Sequence, residues 1–107
     1  MSDIKNVLGK EEFNGIINSE VPVIVDFYAT WCGPCKMQSP ILHEFKQEIG
    51  EKAIIIKVDV DENAELASLY GVQSIPTLAI FKNGELKEKT VGLTVKAQLS
   101  EMLIKYL

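Results

Sequence analysis

The only two cysteines of this chain, Cys32 and Cys35, flank Gly33-Pro34, and its only tryptophan, Trp31, stands directly before them. Two thiols at that spacing close a small ring, so both sulfurs can be joined or parted without moving the rest of a fold. That suits a reversible redox couple better than a staple. By loop-closure entropy a four-residue loop stabilises by only about 2 kcal/mol, against ~3 for a loop of fifteen. Two rival readings are weaker. A structural zinc site needs four ligands, and beyond this pair the chain offers one histidine, His43, so a metal would have to be shared between chains. Incidental thiols would not need a Gly-Pro insert and a flanking tryptophan. A dithiol–disulfide couple within a β/α pattern is the chemistry that fits.

Two lone charges of opposite sign interrupt two apolar runs. Asp26 interrupts Val23-Ile24-Val25 and Phe27-Tyr28-Ala29. Desolvation raises a buried carboxyl's pKa, and a base poised near neutrality is what deprotonation of a thiol requires. Asp26 is therefore a candidate proton acceptor for Cys35, with a structural carboxylate held by backbone or hydroxyl groups as the alternative. Lys57 interrupts Ile54-Ile55-Ile56 and Val58 in the same manner. It either pairs with Asp26 and modulates it, or carries its ammonium to the end of the sheet and touches nothing. Asp59, Asp61 and Asn63 open like a calcium loop, but Ala64 and Tyr70 occupy the positions that need glycine and glutamate, so that reading fails. Asp61 is expected to cap a short helix, and His43 to be exposed and non-catalytic.

The elements that must position these groups follow from the pattern. Phe13, Ile16 and Ile17 have helical spacing. Val21 to Ala29 and Ala53 to Val60 read as strands buried on both faces. The segment from Cys32 to Gly50 reads as a helix with Pro34 in its first turn, a kink at Pro40, and an apolar stripe of Met37, Ile41, Leu42, Phe45 and Ile49. Cys32 then lies at a helix N-terminus, where unpaired N–H groups and the helix dipole favour a thiolate. Cys35 lies one turn inside. Asn63 to Tyr70 forms a short helix. Thr77 to Phe81 and Leu86 to Val91 form a hairpin about Asn83-Gly84. Thr94 is expected to cap a last helix presenting Val95, Leu99, Met102, Leu103 and Tyr106. The β-α-β part demands parallel pairing and the hairpin antiparallel pairing, so the fold class is α/β with a mixed sheet of four or five strands.

Composition narrows the function. The chain has 107 residues, enough for one domain over 1–107, with 47% hydrophobic and 24% charged residues and a net charge of -4. Acidity argues against nucleic acid as a partner. No stretch is long and apolar enough to span a bilayer, and Met1 to Asn6 carries no secretory pattern. A cytoplasmic location and a monomer are expected.

The chain resembles the thioredoxin family from about Ile4 to Leu107. The resemblance rests on Val25-Asp26-Phe27-Tyr28-Ala29, Trp31-Cys32-Gly33-Pro34-Cys35-Lys36-Met37, Pro40, Lys57-Val58-Asp59, Ser74-Ile75-Pro76-Thr77-Leu78, Phe81-Lys82-Asn83-Gly84 and Gly92. It implies a thioredoxin fold: a central five-stranded mixed sheet, including a strand near the N-terminus, flanked by four helices. It implies a cis peptide bond before Pro76, where base rates alone favour trans. It implies a docking surface for substrates on Trp31, Gly33, Pro34, Ile75, Pro76 and Gly92. The implied activity is reduction of protein disulfides, Cys32 attacking and Cys35 resolving, with a redox-active Cys32–Cys35 disulfide and no bound cofactor or metal. Implied partners are a thioredoxin reductase, linked to NADPH or ferredoxin, and substrates such as ribonucleotide reductase, peroxiredoxin and methionine sulfoxide reductase. Tyr28, Gln38-Ser39 and Leu93 depart from common choices beside the active site and bear on partner preference. The lack of further cysteines favours a bacterial or archaeal type. A disulfide donor or isomerase is opposed by Gly33-Pro34, and an accessory-subunit role is an additional one that intact cysteines leave open.

Overall fold

The computed structural model describes residues 4–107; Met1, Ser2 and Asp3, where the reading of a leaderless start begins, lie outside the described residues. Ten elements alternate along the chain: β1 (Lys5–Asn6), α1 (Lys10–Ile17), β2 (Val23–Tyr28), α2 (Gly33–Ile49), a 3-10 turn (Gly50–Lys52), β3 (Ile54–Asp59), α3 (Ala64–Leu69), β4 (Thr77–Lys82), β5 (Glu85–Val91) and α4 (Lys96–Ile104). The strands form one sheet in the order β1-β3-β2-β4-β5. β1 and β2 pair parallel to β3, whereas β4 pairs antiparallel to β2 and β5. This is the five-stranded mixed sheet with four helices that the resemblance implied.

Strand alternation divides the core. Val23, Val25 and Phe27 of β2 join Ile56 and Val58 of β3 under Phe13 and Ile17 of α1 and Leu66 of α3. Ile24, Ile55, Leu78 and Ile80 point to the other face, under Leu42 and Phe45 of α2 and Leu99, Met102 and Leu103 of α4. Period-two alternation then fixes where the two lone charges go. Asp26 follows Ile24 and Lys57 follows Ile55, so both belong to the face that α2 covers. Their Cα positions are register partners in the β2–β3 ladder.

Three local expectations are corrected. Met37 is 61% exposed, and the buried stripe of α2 is Cys35, Gln38, Leu42 and Phe45. The 35-38-42-45 spacing is helical, but a glutamine in the stripe disguised it. Asp61 does not cap α3, which starts after Asn63 without a side-chain cap. The carboxylate nearest that turn is instead Asp59, whose Oδ1 accepts from the backbone N–H of Asp61 and Glu62. Thr94 does not cap α4 either; Val95 precedes the helix, itself exposed, and the Thr94 hydroxyl donates to the Gly92 carbonyl. The hairpin does close as its sequence demands: Asn83 and Gly84 both have positive φ between the paired Lys82 and Glu85.

Candidate active site

The site lies where β2 ends and α2 begins. Cys32 is the residue preceding α2, in extended backbone, and its Sγ accepts a hydrogen bond from the Cys35 backbone N–H at 3.2 Å. A sulfur thus caps the helix as an oxygen would elsewhere. Pro34 occupies the first turn, where its missing N–H leaves nothing unpaired. Cys32 and Cys35 form a disulfide with Cα atoms 5.3 Å apart, within the span such bonds require. They pack with Ala29, Tyr28, Val60 and Ile75. In this oxidised form both cysteines are buried, at 5% and 3% exposure, so the difference between them is one of backbone position.

Around the pair Trp31, Gly33 and Pro34 are exposed, Ile75 and Gly92 are half-buried, and Pro76 is buried. The Ile75–Pro76 peptide bond is cis, and the Ile75 carbonyl oxygen lies 3.8 Å from Cys32 Sγ. A disulfide sulfur has no proton to donate, so in this state that contact is one of packing. The Gly92 N–H donates to the Pro76 carbonyl at 2.8 Å, tying the start of the 92–94 segment to the Pro76 turn. Gly92 has φ +94 and open space where a Cβ would project, so its backbone angle, not crowding, calls for glycine. Trp31 is 69% exposed, with its indole N–H donating to Asp61 Oδ2 at 2.9 Å. Trp31, Gly33, Pro34, Ile75, Pro76 and Gly92 therefore fall on segments gathered around the disulfide. Sequence reasoning missed Asp61 as the tryptophan's acceptor, because only the folded chain brings β3's end beside the β2–α2 turn.

Asp26 lies on β2, register-paired with Lys57 of β3, and is 0% exposed. Among the described residues no group hydrogen-bonds either carboxylate oxygen. Burial pushes its pKa up from 3.8 to about 7, opposed by the positive charge of Lys57. Lys57 acts on Asp26 by charge but not by a close pair, and it is not without contacts. Its ammonium does not bond Asp26, and it is not free: it lies 4.3 Å from the centre of the Tyr28 ring and donates to Ser39 Oγ at 3.4 Å. The cation rests on an aromatic face and a hydroxyl, and acts on Asp26 only through space. Tyr28 is fixed in turn by donating its hydroxyl to Asn6 Oδ1. Cys35, Ser39 and Lys57 line one open pocket of about 260 Å³ with Tyr28, Thr30 and Lys36, so the inner cysteine and the lysine share one opening to the surface. His43 is on α2, outside this cluster. Among the described residues no group of His, Cys, Asp and Glu could hold a metal, and no helix is long and apolar enough to cross a membrane.

The chain is similar to known proteins over most of its length. The Thioredoxin family model matches residues 5–105. The chain belongs to the thioredoxin family. It is 54% identical over 89 residues to the thioredoxin of Bacillus subtilis, covering 83% of this chain and 86% of that one. It is 45% identical over 102 residues to the thioredoxin of Rickettsia typhi, covering 95% and 97%. The structure of a mutant thioredoxin from Halobacterium salinarum superposes with a TM-score of 0.89 at 39% identity, over 99% of this chain and 94% of that one. As a thioredoxin the chain is a protein-disulfide oxidoreductase working through the Cys32–Cys35 couple, and it needs no cofactor beyond that redox-active disulfide. Its partners, in general terms, are disulfide substrates and a reductase.

Proposed function

We propose that this thioredoxin is a cytoplasmic, monomeric reductase of protein disulfides with a division of labour between its cysteines. The observation that carries the assignment is the sulfur cap: Cys32 stands before α2 with a first-turn N–H aimed at its Sγ, while Cys35 is inside the helix. In the reduced protein that N–H and the helix terminus stabilise a thiolate at Cys32. The Cys32 thiolate attacks one sulfur of a substrate disulfide. The substrate S–S bond breaks, a Cys32–substrate disulfide forms, and the departing thiolate takes a proton from water. Cys35 gives its thiol proton to the Asp26 carboxylate and attacks Cys32 Sγ. The second substrate sulfur leaves, and the Cys32–Cys35 disulfide holds the two-electron oxidation.

Asp26 suits the acceptor role because burial has raised its pKa to about 7, within reach of a thiol's. Lys57 modulates Asp26 and shares with Cys35 the pocket that leads outward. Trp31, Gly33, Pro34, Ile75, cis Pro76 and Gly92 form the surface on which substrate chains lie. Reduction back to the dithiol falls to a thioredoxin reductase using NADPH or ferredoxin. Ribonucleotide reductase, peroxiredoxin and methionine sulfoxide reductase are the substrates in view.

Turbidity from insulin reduced by a dithiol tests the reading. The wild-type chain should accelerate reduction, and Cys32→Ser should lose the acceleration entirely. Equal rates for the two proteins would remove Cys32 from the mechanism.

A further inference from the structure

Gln38 lies one turn beyond Cys35 on the buried side of α2 and is 0% exposed. A side-chain amide there is costly unless both halves are bonded, and here one residue satisfies both. Gln38 Nε2 donates to the Thr94 carbonyl at 2.9 Å, and the Thr94 N–H donates to Gln38 Oε1 at 2.8 Å. The pairing is directional. A backbone N–H can only donate and a carbonyl can only accept, so the amide has a single orientation. Thr94 passes the constraint on. Its hydroxyl donates to the Gly92 carbonyl at 3.1 Å, and the Gly92 N–H donates to the Pro76 carbonyl at 2.8 Å. The chain of bonds thus runs from the cysteine-bearing helix to the cis-proline turn. Its outer side carries Val91 and Leu93, both exposed.

Resting on the docking surface proposed above, we propose that Gln38 is a positioning residue: through Thr94 it fixes the 92–94 segment as one wall of the groove that receives protein disulfides. Gln38 touches neither substrate nor the reacting sulfurs. A protein disulfide must lay its flanking backbone along that wall, whereas a small disulfide meets only Cys32. Loosening the wall therefore weakens binding of protein substrates and leaves sulfur chemistry alone.

The test compares insulin with hydroxyethyl disulfide as substrates for the wild-type chain, Gln38→Met and Thr94→Val, folding being checked by circular dichroism. Methionine keeps the length of glutamine and loses both bonds. Gln38→Met should raise KM for insulin about tenfold with kcat held, since remote misplacement acts on positioning, and the rate with hydroxyethyl disulfide should stay within about twofold. Thr94→Val keeps the Gln38 pairing but cuts the link to Gly92, and should raise the insulin KM about threefold. Equal losses on both substrates, or no loss on either, would overturn the proposal. If Gln38→Met does not fold, Thr94→Val decides: a selective rise in the insulin KM supports the wall, and its absence overturns it. A wild-type chain that reduced neither substrate would bring down the proposed function, and this inference with it.

Discussion

Asp26 and Gln38 are both completely buried, both lie between the sheet and α2, and the fold treats them in opposite ways. Gln38 has each half of its amide bonded to the Thr94 backbone. Asp26 has no hydrogen bond to either oxygen among the described residues. An unmatched buried polar group costs on the order of 1–3 kcal/mol, and a charged one more. A satisfied group can be explained by architecture alone. An unsatisfied carboxylate one strand away from a lysine, on the face of the sheet that α2 covers, is not explained that way, and the proposed role as proton acceptor for Cys35 gives it a use.

Breaking the comparison at Asp26 should have the largest effect. Its carboxyl has pKa 3.8 unfolded and about 7 folded, so the native state binds more protons between those values. Stability should therefore be fully present below about pH 4, fall as pH rises towards 7, and then level off. At ~1.36 kcal/mol per pKa unit the decline amounts to roughly 4 kcal/mol. Asp26→Asn should lack that decline and be more stable than the parent at neutral pH by about 2 kcal/mol, part of the gain being offset by a buried amide without partners. Reduction of insulin by the variant should be slower, because Cys35 loses its acceptor. Urea unfolding of both proteins at acid and neutral pH checks the sign. A variant less stable than the parent at neutral pH would mean that Asp26 is a well-held structural ion.

Gln38→Met should act in the opposite sense and leave the roughly 4 kcal/mol pH-dependent decline of Asp26 in place. It strands the N–H and carbonyl of Thr94, so stability should drop by about 2 kcal/mol. The drop should be the same across that pH range, since an amide does not titrate. A loss that varied with pH would show that Gln38 is coupled to Asp26 and would dissolve the contrast.

Lys57→Met sharpens the comparison with the smallest effect. Removing the cation that opposes desolvation should move the Asp26 midpoint further upward, and the stability decline should extend to higher pH. Proton-coupled chemical shifts of the Asp26 side chain would follow it directly. A midpoint that moved down would mean that Lys57 does not act on Asp26 through charge.

Asp26 and Lys57 were legible in the sequence because a lone charge in an apolar strand is conspicuous, and period-two alternation puts both on one face. The cysteine couple was legible from spacing alone. The mixed pairing of the sheet needed only the β-α-β and hairpin signals, while β1, two residues long with both exposed, carries no periodicity and came from the resemblance. Gln38 was hidden by its type: a polar residue counts against a buried stripe even where the helical spacing demands it. The contacts of Lys57 with Tyr28 and Ser39, and the bond from Trp31 to Asp61, depend on which side chains meet across elements, and no local pattern encodes that. Asp61 and Thr94 look like caps in one dimension but bond elsewhere, because backbone at the helix entrances is set by contacts at Asp59 and Gly92.

The central claim is that Cys32 attacks and Cys35 resolves. Its most direct measurement is intact mass and peptide mapping, without reductant, of Cys35→Ser after reaction with insulin. Release requires the second thiol, so the account predicts a stable adduct of one insulin chain linked through Cys32. Recovery of no adduct, with insulin reduced at the wild-type rate, would contradict it.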